Sequence, residues 1–303
     1  MGACTSPQGR RNTMEAVLVY GLINSVSLAL MALGFSLTFG ISGVANLAHG
    51  ALYILAGYLC WQLLINLGLP YFLSIAGAIV ATALAGALLY RLILQRVRGI
   101  ILAEVISTFA LAIGGLELLR WSGVSGGFRY KLPAVFSGSL TIGETIVDYQ
   151  RVFIVGIGLI LVFVLWLFAH HTKIGLASRG IAQNEQTAIA FGIKSHRIAM
   201  LSVAFGSALA AVAGVAILPL GVITVDRGHD VLVMAIAVGI VGGMESILGI
   251  IVAAFLLGFS QSFAAMYVGT KSIMIVYLLA IILVLAFRPS GLFGKFKEME
   301  ERV

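Results

Sequence analysis

A polar, glycine-rich segment interrupts the first long apolar region of the chain, and its residues are Gly43, Asn46, His49 and Gly50. Asn46 and His49 carry hydrogen-bonding groups that are costly to transfer into hydrocarbon. Broken helices occur at membrane depth where they line a cavity or are buried in protein, and in transporters such breaks often mark the substrate path. The alternative is a tight turn at the membrane surface, with Asn46 as the N-cap of the next helix. Both interpretations stay open, and the four residues are candidates for a translocation path.

A second interruption consists of Gly242, Gly243 and Glu245. Glu245 is the only charged residue between Val231 and Thr270. An ionisable residue inside a membrane span is a functional candidate by default, whereas a turn at the surface would make the same residue ordinary. We include these three residues among the candidates for the path, and both interpretations of Glu245 stay open.

No pattern typical of catalysis or of metal binding stands out. The sequence has no Walker A motif, which would cradle ATP phosphates, and no evident Ser-His-Asp set or Cys-His pair. His170 and His171 are adjacent, and adjacent side chains on a helix point apart. Cys4 and Cys60 are too few and too far apart for a disulfide framework or a metal site. We therefore predict no enzymatic activity, no catalytic residue, no metal site and no cofactor bound directly by the chain.

The elements that carry these candidates must lie in a lipid bilayer. From Ala16 to Tyr90 the chain has no Asp, Glu, Lys or Arg, and a helix needs about 20 apolar residues to cross a bilayer core. Further charge-poor stretches are residues 152–169, 198–225, 246–270 and 272–287. The composition is 60% hydrophobic and only 10% charged. We predict an all-α, polytopic transmembrane helical bundle of about eight spans, within a range of roughly seven to ten, with broken or re-entrant segments.

Small residues recur along two of the predicted spans at the four-residue spacing that lines one helix face. One set is Gly77, Ala81 and Ala85, and the other is Gly206, Ala210 and Gly214. Such faces allow membrane helices to approach closely, where dispersion and packing hold them together. The two sets predict a tightly packed bundle.

Basic loops give the expected orientation. Basic residues are concentrated at 91–98, in the loop 170–198 and after the last span, and such loops lie on the cytoplasmic side. This pattern explains the formal charge of +7 without nucleic acid. The side of the N-terminus stays open, because Arg10 and Arg11 favour the inside whereas three crossings before Arg91 would place it outside.

We expect three segments along the chain. Residues 1–14 form a polar leader, with Met14 as an alternative start of translation, and residues 15–290 form the membrane domain. Residues 291–303 form a cytoplasmic tail. The loop 170–198 belongs to the membrane domain and is the most specific feature of the chain.

A short helical segment is predicted inside this loop. Residues 184–191 are compatible with a helix, and Gly192 is a suitable C-cap. Ala188, Phe191 and Ile193 are expected to offer a small apolar ridge to the cytoplasm. A short amphipathic helix of this kind suits a groove on another protein, and the alternative is a helix that lies on the lipid headgroups.

Several stretches together resemble the permease subunits of the branched-chain amino-acid family of bacterial ABC importers. These stretches are residues 21–25, 39–53 with the run Asn-Leu-Ala-His-Gly, 175–193, 239–249 and 288–294. The resemblance covers nearly all of the chain from residue 16 to 296. Glu245 departs from the pattern, because this family more often carries a small residue there.

The resemblance implies a second permease subunit, identical or homologous, two cytoplasmic ATPase subunits that bind ATP and Mg, and an extracytoplasmic solute-binding protein. It implies the bacterial cytoplasmic membrane as the location and a branched-chain or related amino acid as the solute. A urea or short-amide permease of the same family and an ion-coupled secondary transporter are the alternatives. The residues implied in coupling to the ATPase are Asn184, Glu185, Ala188, Ala190, Phe191, Gly192 and Ile193.

Overall fold

The structure is a computed structural model that describes residues 7–43, 45–124, 130–143 and 145–294. Side chains are described in these ranges except at 7–13, 41 and 42. The first part of the expected leader, up to residue 6, and the tail from residue 295 lie outside the described residues. Helix α1 begins at Pro7 and so extends through the remainder of the expected leader.

Helices make up most of the described chain, as expected where lipid cannot satisfy backbone polar groups. The helices are α1 (Pro7–Ser42), α2 (His49–Trp61), α3 (Tyr71–Leu89), α4 (Gln95–Val97), α5 (Ile101–Trp121), α6 (Tyr149–His171), α7 (Lys173–Gln183), α8 (Glu185–Ala190), α9 (Ser195–Ile217), α10 (Val225–Gly242), α11 (Ile247–Tyr267) and α12 (Ile273–Phe287). Wider π-helical turns extend α2 and α3 over Gln62–Asn66 and Tyr90–Leu94, and short 3-10 turns lie at Leu218–Leu220 and Thr270–Ser272. Strands β1 (Ser139–Ile142) and β2 (Thr145–Asp148) pair as an antiparallel hairpin.

The bundle has two ends that its loops distinguish. We call the end with the β1–β2 hairpin the hairpin end, and the opposite end, with the loops 91–98 and 170–198, the basic end. The Tyr20 hydroxyl donates to the Ile146 carbonyl over 2.9 Å at the hairpin end. The Ser36 hydroxyl, near the other terminus of α1, donates to the Met244 carbonyl over 2.7 Å at the basic end. Three passes therefore precede Arg91, and α1 starts at the end opposite the basic loops.

Within the described residues, seven helical segments are long and apolar enough to cross a membrane. They are Met14–Gly40, Tyr71–Val97, Ile101–Trp121, Tyr149–His171, Ser195–Leu220, Ile247–Tyr267 and Thr270–Phe287. Helix α10 also runs between the two ends, and helix α2 with its π-helical turn runs from within the bundle to the hairpin end. Helix α2 is short, and helix α10 carries Asp226, Arg227 and Asp230 near its start. The predicted all-α, polytopic bundle of about eight spans is confirmed.

Close backbone contacts of glycine hold the centre of the bundle together. A Cβ atom on Gly206 of α9 would lie 2.7 Å from the Gly34 carbonyl oxygen of α1. A Cβ atom on Gly214 would lie 2.6 Å from the Tyr53 carbonyl oxygen of α2. Since real Cβ atoms need more room than this, only glycine allows α1 and α2 to lie so close to α9. The predicted small-residue face of α9 is therefore in the core.

On α3 the predicted small-residue face is displaced by one residue. The buried line is Ser74, Ala78, Thr82 and Gly86, whereas Gly77, Ala81 and Ala85 are half-buried beside it. The hydroxyl of Thr82 donates to the Ala78 carbonyl over 2.8 Å within the same helix. Because an internal hydrogen bond removes the cost of burying a hydroxyl, polar residues can occupy the packed face.

Substituting Gly206 by alanine is expected to destabilise the protein, because the new methyl group forces α1 and α9 apart. Overpacking of this kind costs about 1–3 kcal/mol. Gly114 on α5 is the matched control, since none of the described atoms lies within 4 Å of the position that its Cβ atom would take. Alanine there should be neutral or stabilising by about 0.5–1 kcal/mol. Thermal unfolding of both variants in detergent tests this, and equal effects of the two substitutions would contradict the packing described.

Candidate functional site

The break between α1 and α2 is organised by Asn46. Gly43 follows the last turn of α1 with a φ of +69°, which suits glycine. The Asn46 side-chain oxygen accepts a hydrogen bond of 3.1 Å from the Ala48 amide, and its carbonyl accepts one from the His49 amide. This contact is an Asx turn that precedes α2. The N-cap of α2 is Ala48, without a side-chain cap, so the structure does not bear out Asn46 as the N-cap. Asn46 is only 1% exposed, however, so this turn is inside the protein and not at a membrane surface.

His49 anchors the start of α2 to α1. Its Nε2 atom lies 2.8 Å from the Met31 carbonyl oxygen. Since a carbonyl can only accept, Nε2 carries the proton in this contact. The imidazole meets the Phe35 ring edge-on, with the ring centres 6.0 Å apart. Helix α2 therefore begins against the body of α1, as a half-helix that starts within the bundle.

Two neighbouring helices enclose the break. The Thr108 hydroxyl of α5 donates to the Ala45 carbonyl over 3.2 Å. A Cβ atom on Gly50 would lie 2.0 Å from the Gly228 carbonyl oxygen, so α2 and α10 touch through their backbones. Asn46, His49 and Gly50 are all buried in this conformation. They hold the broken helix in place, and only Gly43 of the four candidates is exposed.

The second interruption is the turn between α10 and α11. Gly243 has a φ of +94° and ends α10, and Gly242 lies against the backbone of Gly249 at the start of α11. The amides of Leu292 and Phe293 donate to the Val241 and Gly242 carbonyls over 2.9 and 3.1 Å. We call residues 288–294 the C-terminal strap. The strap satisfies the carbonyls that the end of any helix leaves without partners.

Glu245 lies in this turn and is exposed at the basic end, as in the surface-turn interpretation. The preceding residue, Met244, packs in one apolar cluster with Phe35 of α1 and with Ala45 and Leu47 of the break. The structure therefore brings the two interruptions together beside the end of α1, although the sequence separates them widely.

Helix α8 has a defined cap at each end. The Asn184 side chain accepts a hydrogen bond of 2.9 Å from the Thr187 amide, which makes it the N-cap. At the other end the Gly192 amide donates to Ile189 and the Ile193 amide donates to Ala188. With a φ of +82° at Gly192 this is a Schellman motif. The helix predicted over residues 184–191 is thus present as Glu185–Ala190 between its caps.

The exposed face of α8 differs from the predicted ridge of Ala188, Phe191 and Ile193. Ala188 is 5% exposed and Ile193 is half-buried, so that part of the prediction is wrong. The Schellman turn is the reason, because it folds Ile193 back toward α7. Phe191 is 83% exposed, and Ile189, which sequence analysis did not select, is 52% exposed.

Glu185 belongs to the inner face of α8. Its carboxylate lies 2.7 Å from the Arg98 guanidinium and accepts a hydrogen bond from the Ser195 hydroxyl. Of the residues expected to contact an ATPase, Asn184, Ala190, Phe191 and Gly192 are exposed, whereas Glu185 is engaged within the chain. Arg98 was not selected from the sequence, since nothing local distinguishes it from the other arginines of its segment.

Comparison with known proteins identifies relatives along the whole membrane domain. A family model described as a branched-chain amino acid transport system permease component matches residues 17–287. The high-affinity branched-chain amino acid transport permease BraD of Pseudomonas aeruginosa is 30% identical over 92% of this chain and 95% of its own length. The corresponding LivH of Escherichia coli K12 is 28% identical, over 90% and 94%.

A similar fold occurs in a solved structure. A chain of PsaBC from Streptococcus pneumoniae, determined in complex with Fab, has a TM-score of 0.51 and covers 94% of this chain and 98% of its own. The sequence identity is 15%, so this likeness concerns the fold alone. The family match and the sequence relatives confirm the resemblance stated from the sequence.

Substituting Gly192 should loosen the end of α8. Alanine at a positive φ is strained by roughly 1–2 kcal/mol, whereas asparagine tolerates this conformation and is the matched control. We expect faster amide hydrogen exchange over residues 185–193 in Gly192→Ala, and near-normal exchange in Gly192→Asn. Unchanged exchange in the alanine variant would contradict the left-handed cap.

Proposed function

Because the chain belongs to the family of branched-chain amino acid transport permease components, we propose that it works as one of two permease subunits of an ABC importer for branched-chain or related amino acids. The match over residues 17–287 carries this proposal, because it covers the membrane domain and the loop 170–198 together. The homologues are transport subunits and not enzymes, and the chain is a multi-pass membrane protein. By the positive-inside rule the basic end faces the cytoplasm of a bacterial cell.

In this proposal the partners supply the parts that the chain lacks. Two cytoplasmic ATPase subunits bind ATP and Mg and carry out hydrolysis, and a solute-binding protein delivers the solute at the hairpin end. A second permease, identical or homologous, completes the membrane part. The chain itself makes and breaks no covalent bond, and its contribution is a path that opens alternately to the two sides.

The candidate ATPase contact is the exposed face of α8. Ile189 lies on a helix of 6 residues and Phe191 is its C-cap, and both side chains are exposed at the basic end. A helix this short is unstable alone, so its two caps and its packing on α7 are what make it a defined shape. An apolar pair on a well-defined short helix suits a groove on a partner protein. Asn184 and Gly192 support this surface as caps, and Ala188 and Ile193 support it from inside.

Motion of α8 would reach the translocation path through α9. Residues 191–194 are a short connection from α8 to α9, and α9 packs closely on α1 and α2 through Gly206 and Gly214. Closure of the ATPases on ATP would thus shift the helices that surround the break. The energetic requirement is that ATP and solute each bind the two conformations with different affinity.

The translocation path remains assigned to the two interruptions. Asn46, His49 and Gly50 are proposed to hold the half-helix α2, whose displacement opens the path. Gly43 and Glu245 are exposed at its basic end. Gly242 and Gly243 are proposed to fix the turn beside it, through their close contacts with α11 and with the C-terminal strap.

Removing the Phe191 ring tests the function and the contact together. We expect Phe191→Ala to weaken co-purification of the ATPase and to lower cellular leucine uptake, since a central aromatic contact contributes more than about 1 kcal/mol to binding. Phe136, 52% exposed at the opposite, hairpin end, is the control for the ATPase contact, and Phe136→Ala should retain normal co-purification of the ATPase.

Two results would count against the proposal. Normal uptake and normal ATPase association in Phe191→Ala would remove α8 as the contact. Leucine uptake by the unmodified protein that survives ATP depletion, but collapses with the proton gradient, would instead indicate an ion-coupled transporter.

A further inference from the structure

A polar cluster connects α8 to a part of the bundle that is distant in sequence. Arg98 lies between α4 and α5, and its guanidinium donates to the Glu185 carboxylate over 2.7 Å and to the Tyr90 hydroxyl over 2.8 Å. The Ser195 hydroxyl donates to the same Glu185 oxygen. The Tyr90 hydroxyl also lies 3.3 Å from Nδ1 of His196. Three separate segments of the basic end thus meet at one carboxylate and one hydroxyl.

The burial of this cluster distinguishes it from an ordinary surface ion pair. Exposed pairs contribute about 0–1 kcal/mol, and many contribute nothing measurable. Here the Arg98 side chain is 11% exposed and that of Glu185 is 31% exposed. Arg91 and Arg96, in the same basic segment, are exposed. The charge-assisted hydrogen bonds of Arg98 are of the stronger kind, and they fix its guanidinium in one orientation.

The cluster rests on an apolar base that joins two membrane helices. Tyr90, at the π-helical end of α3, is 2% exposed and packs with Ala199 and Val203 of α9. The hydroxyl of this ring therefore projects from the α3–α9 contact toward Arg98. A displacement of Glu185 would therefore act through Arg98 on the Tyr90 ring, which is packed between these two helices.

Helix α5 connects Arg98 to the break between α1 and α2. Arg98 is followed by α5, and the Thr108 hydroxyl of α5 donates to the Ala45 carbonyl in the break. A continuous set of contacts thus runs from α8 through Arg98 and α5 to the segment that precedes α2. Contiguous contacts of this kind can carry coupling between sites, and the experiment below measures that coupling.

We infer that Glu185 is a positioning residue, which with Arg98 and Ser195 anchors α8 to the corner between α3 and α5, and so transmits its displacement to these helices as well as to α9. This inference rests on the proposed function, because it concerns how the ATPase contact is connected to the bundle. It gives Glu185 a role inside the permease, separate from the exposed Ile189–Phe191 surface that meets the ATPase.

The test measures leucine transported per ATP hydrolysed by the complete complex in proteoliposomes. We expect Arg98→Ala and Glu185→Gln to assemble with the ATPase and to hydrolyse ATP, but to transport less per ATP by about fivefold or more, as for other allosteric couplings. Arg96→Ala is the matched control and should behave as the unmodified protein, since Arg96 is exposed two positions away.

Two rescue variants separate transmission from mere stability. Arg98→Lys keeps one charged donor and should recover part of the ratio, and the double variant Arg98→Glu with Glu185→Arg should recover more than either single change. A merely structural role would lower the amount of complex without changing transport per ATP.

Three outcomes would overturn the inference. They are an unchanged ratio in both single variants, failure of Glu185→Gln to assemble, and no recovery in either rescue variant. If the unmodified complex couples uptake to ATP and the single variants Arg98→Ala and Glu185→Gln do so equally well, the inference fails while the proposed function stands. Absence of any ATPase from the unmodified complex would instead defeat the proposed function.

Discussion

The structure depends on one constraint, which is that backbone polar groups inside the bundle have no water to bind. Straight helices meet it internally, but two places cannot: the buried break at 45–48 and the end of α10, where the carbonyls of residues 241–244 have no partner within the helix. The first is satisfied by the Asn46 side chain and by the Thr108 hydroxyl. The second receives the Ser36 hydroxyl and lies beside the strap amides of Leu292 and Phe293. Helices α1, α5 and α10 and the strap must therefore converge around the breaks.

This convergence is possible only because glycine lets helices approach closely. Gly50 lies on Gly228, and Gly206 lies on Gly34, with no space for a side chain at either contact. Such contacts place α2 and α9 at the centre, and α5, α6 and α12 outside with much of their surface exposed. The permease thus has a tightly packed centre, and the short capped helix α8 lies exposed at its basic end. In the proposed mechanism a displacement of α8 is passed on through α9 to this centre, which has little free volume in which to deform.

Much of the fold follows from the sequence, because lipid imposes strong rules on composition. The charge-free stretch from Ala16 to Tyr90 predicts helices, and Gly192 predicts the C-terminal end of α8 through well-understood capping chemistry. The burial of each side chain is less predictable. Ala188 is covered and Ile189 is exposed because of how α8 packs on α7, and a single sequence holds no information on that packing.

Long-range contacts were the least predictable part. Arg98 and Glu185 are 87 residues apart in sequence, and the pairing depends on how α3, α5 and α9 pack at the basic end. The same holds for Met244, which reaches the first break through the fold of α10. Sequence analysis selected both breaks from their glycines and polar residues, but it could not show that they lie side by side.

The most direct test of the account is site-specific photocrosslinking from position 191 of α8 in the intact complex in native membranes. A photoreactive phenylalanine analogue in place of Phe191 is predicted to form a covalent adduct with the ATPase subunit. The same analogue in place of Phe136 is predicted to form none. An adduct of position 191 with lipid alone, in membranes where leucine uptake is active, would contradict the claim that a nucleotide-driven partner moves this permease through α8.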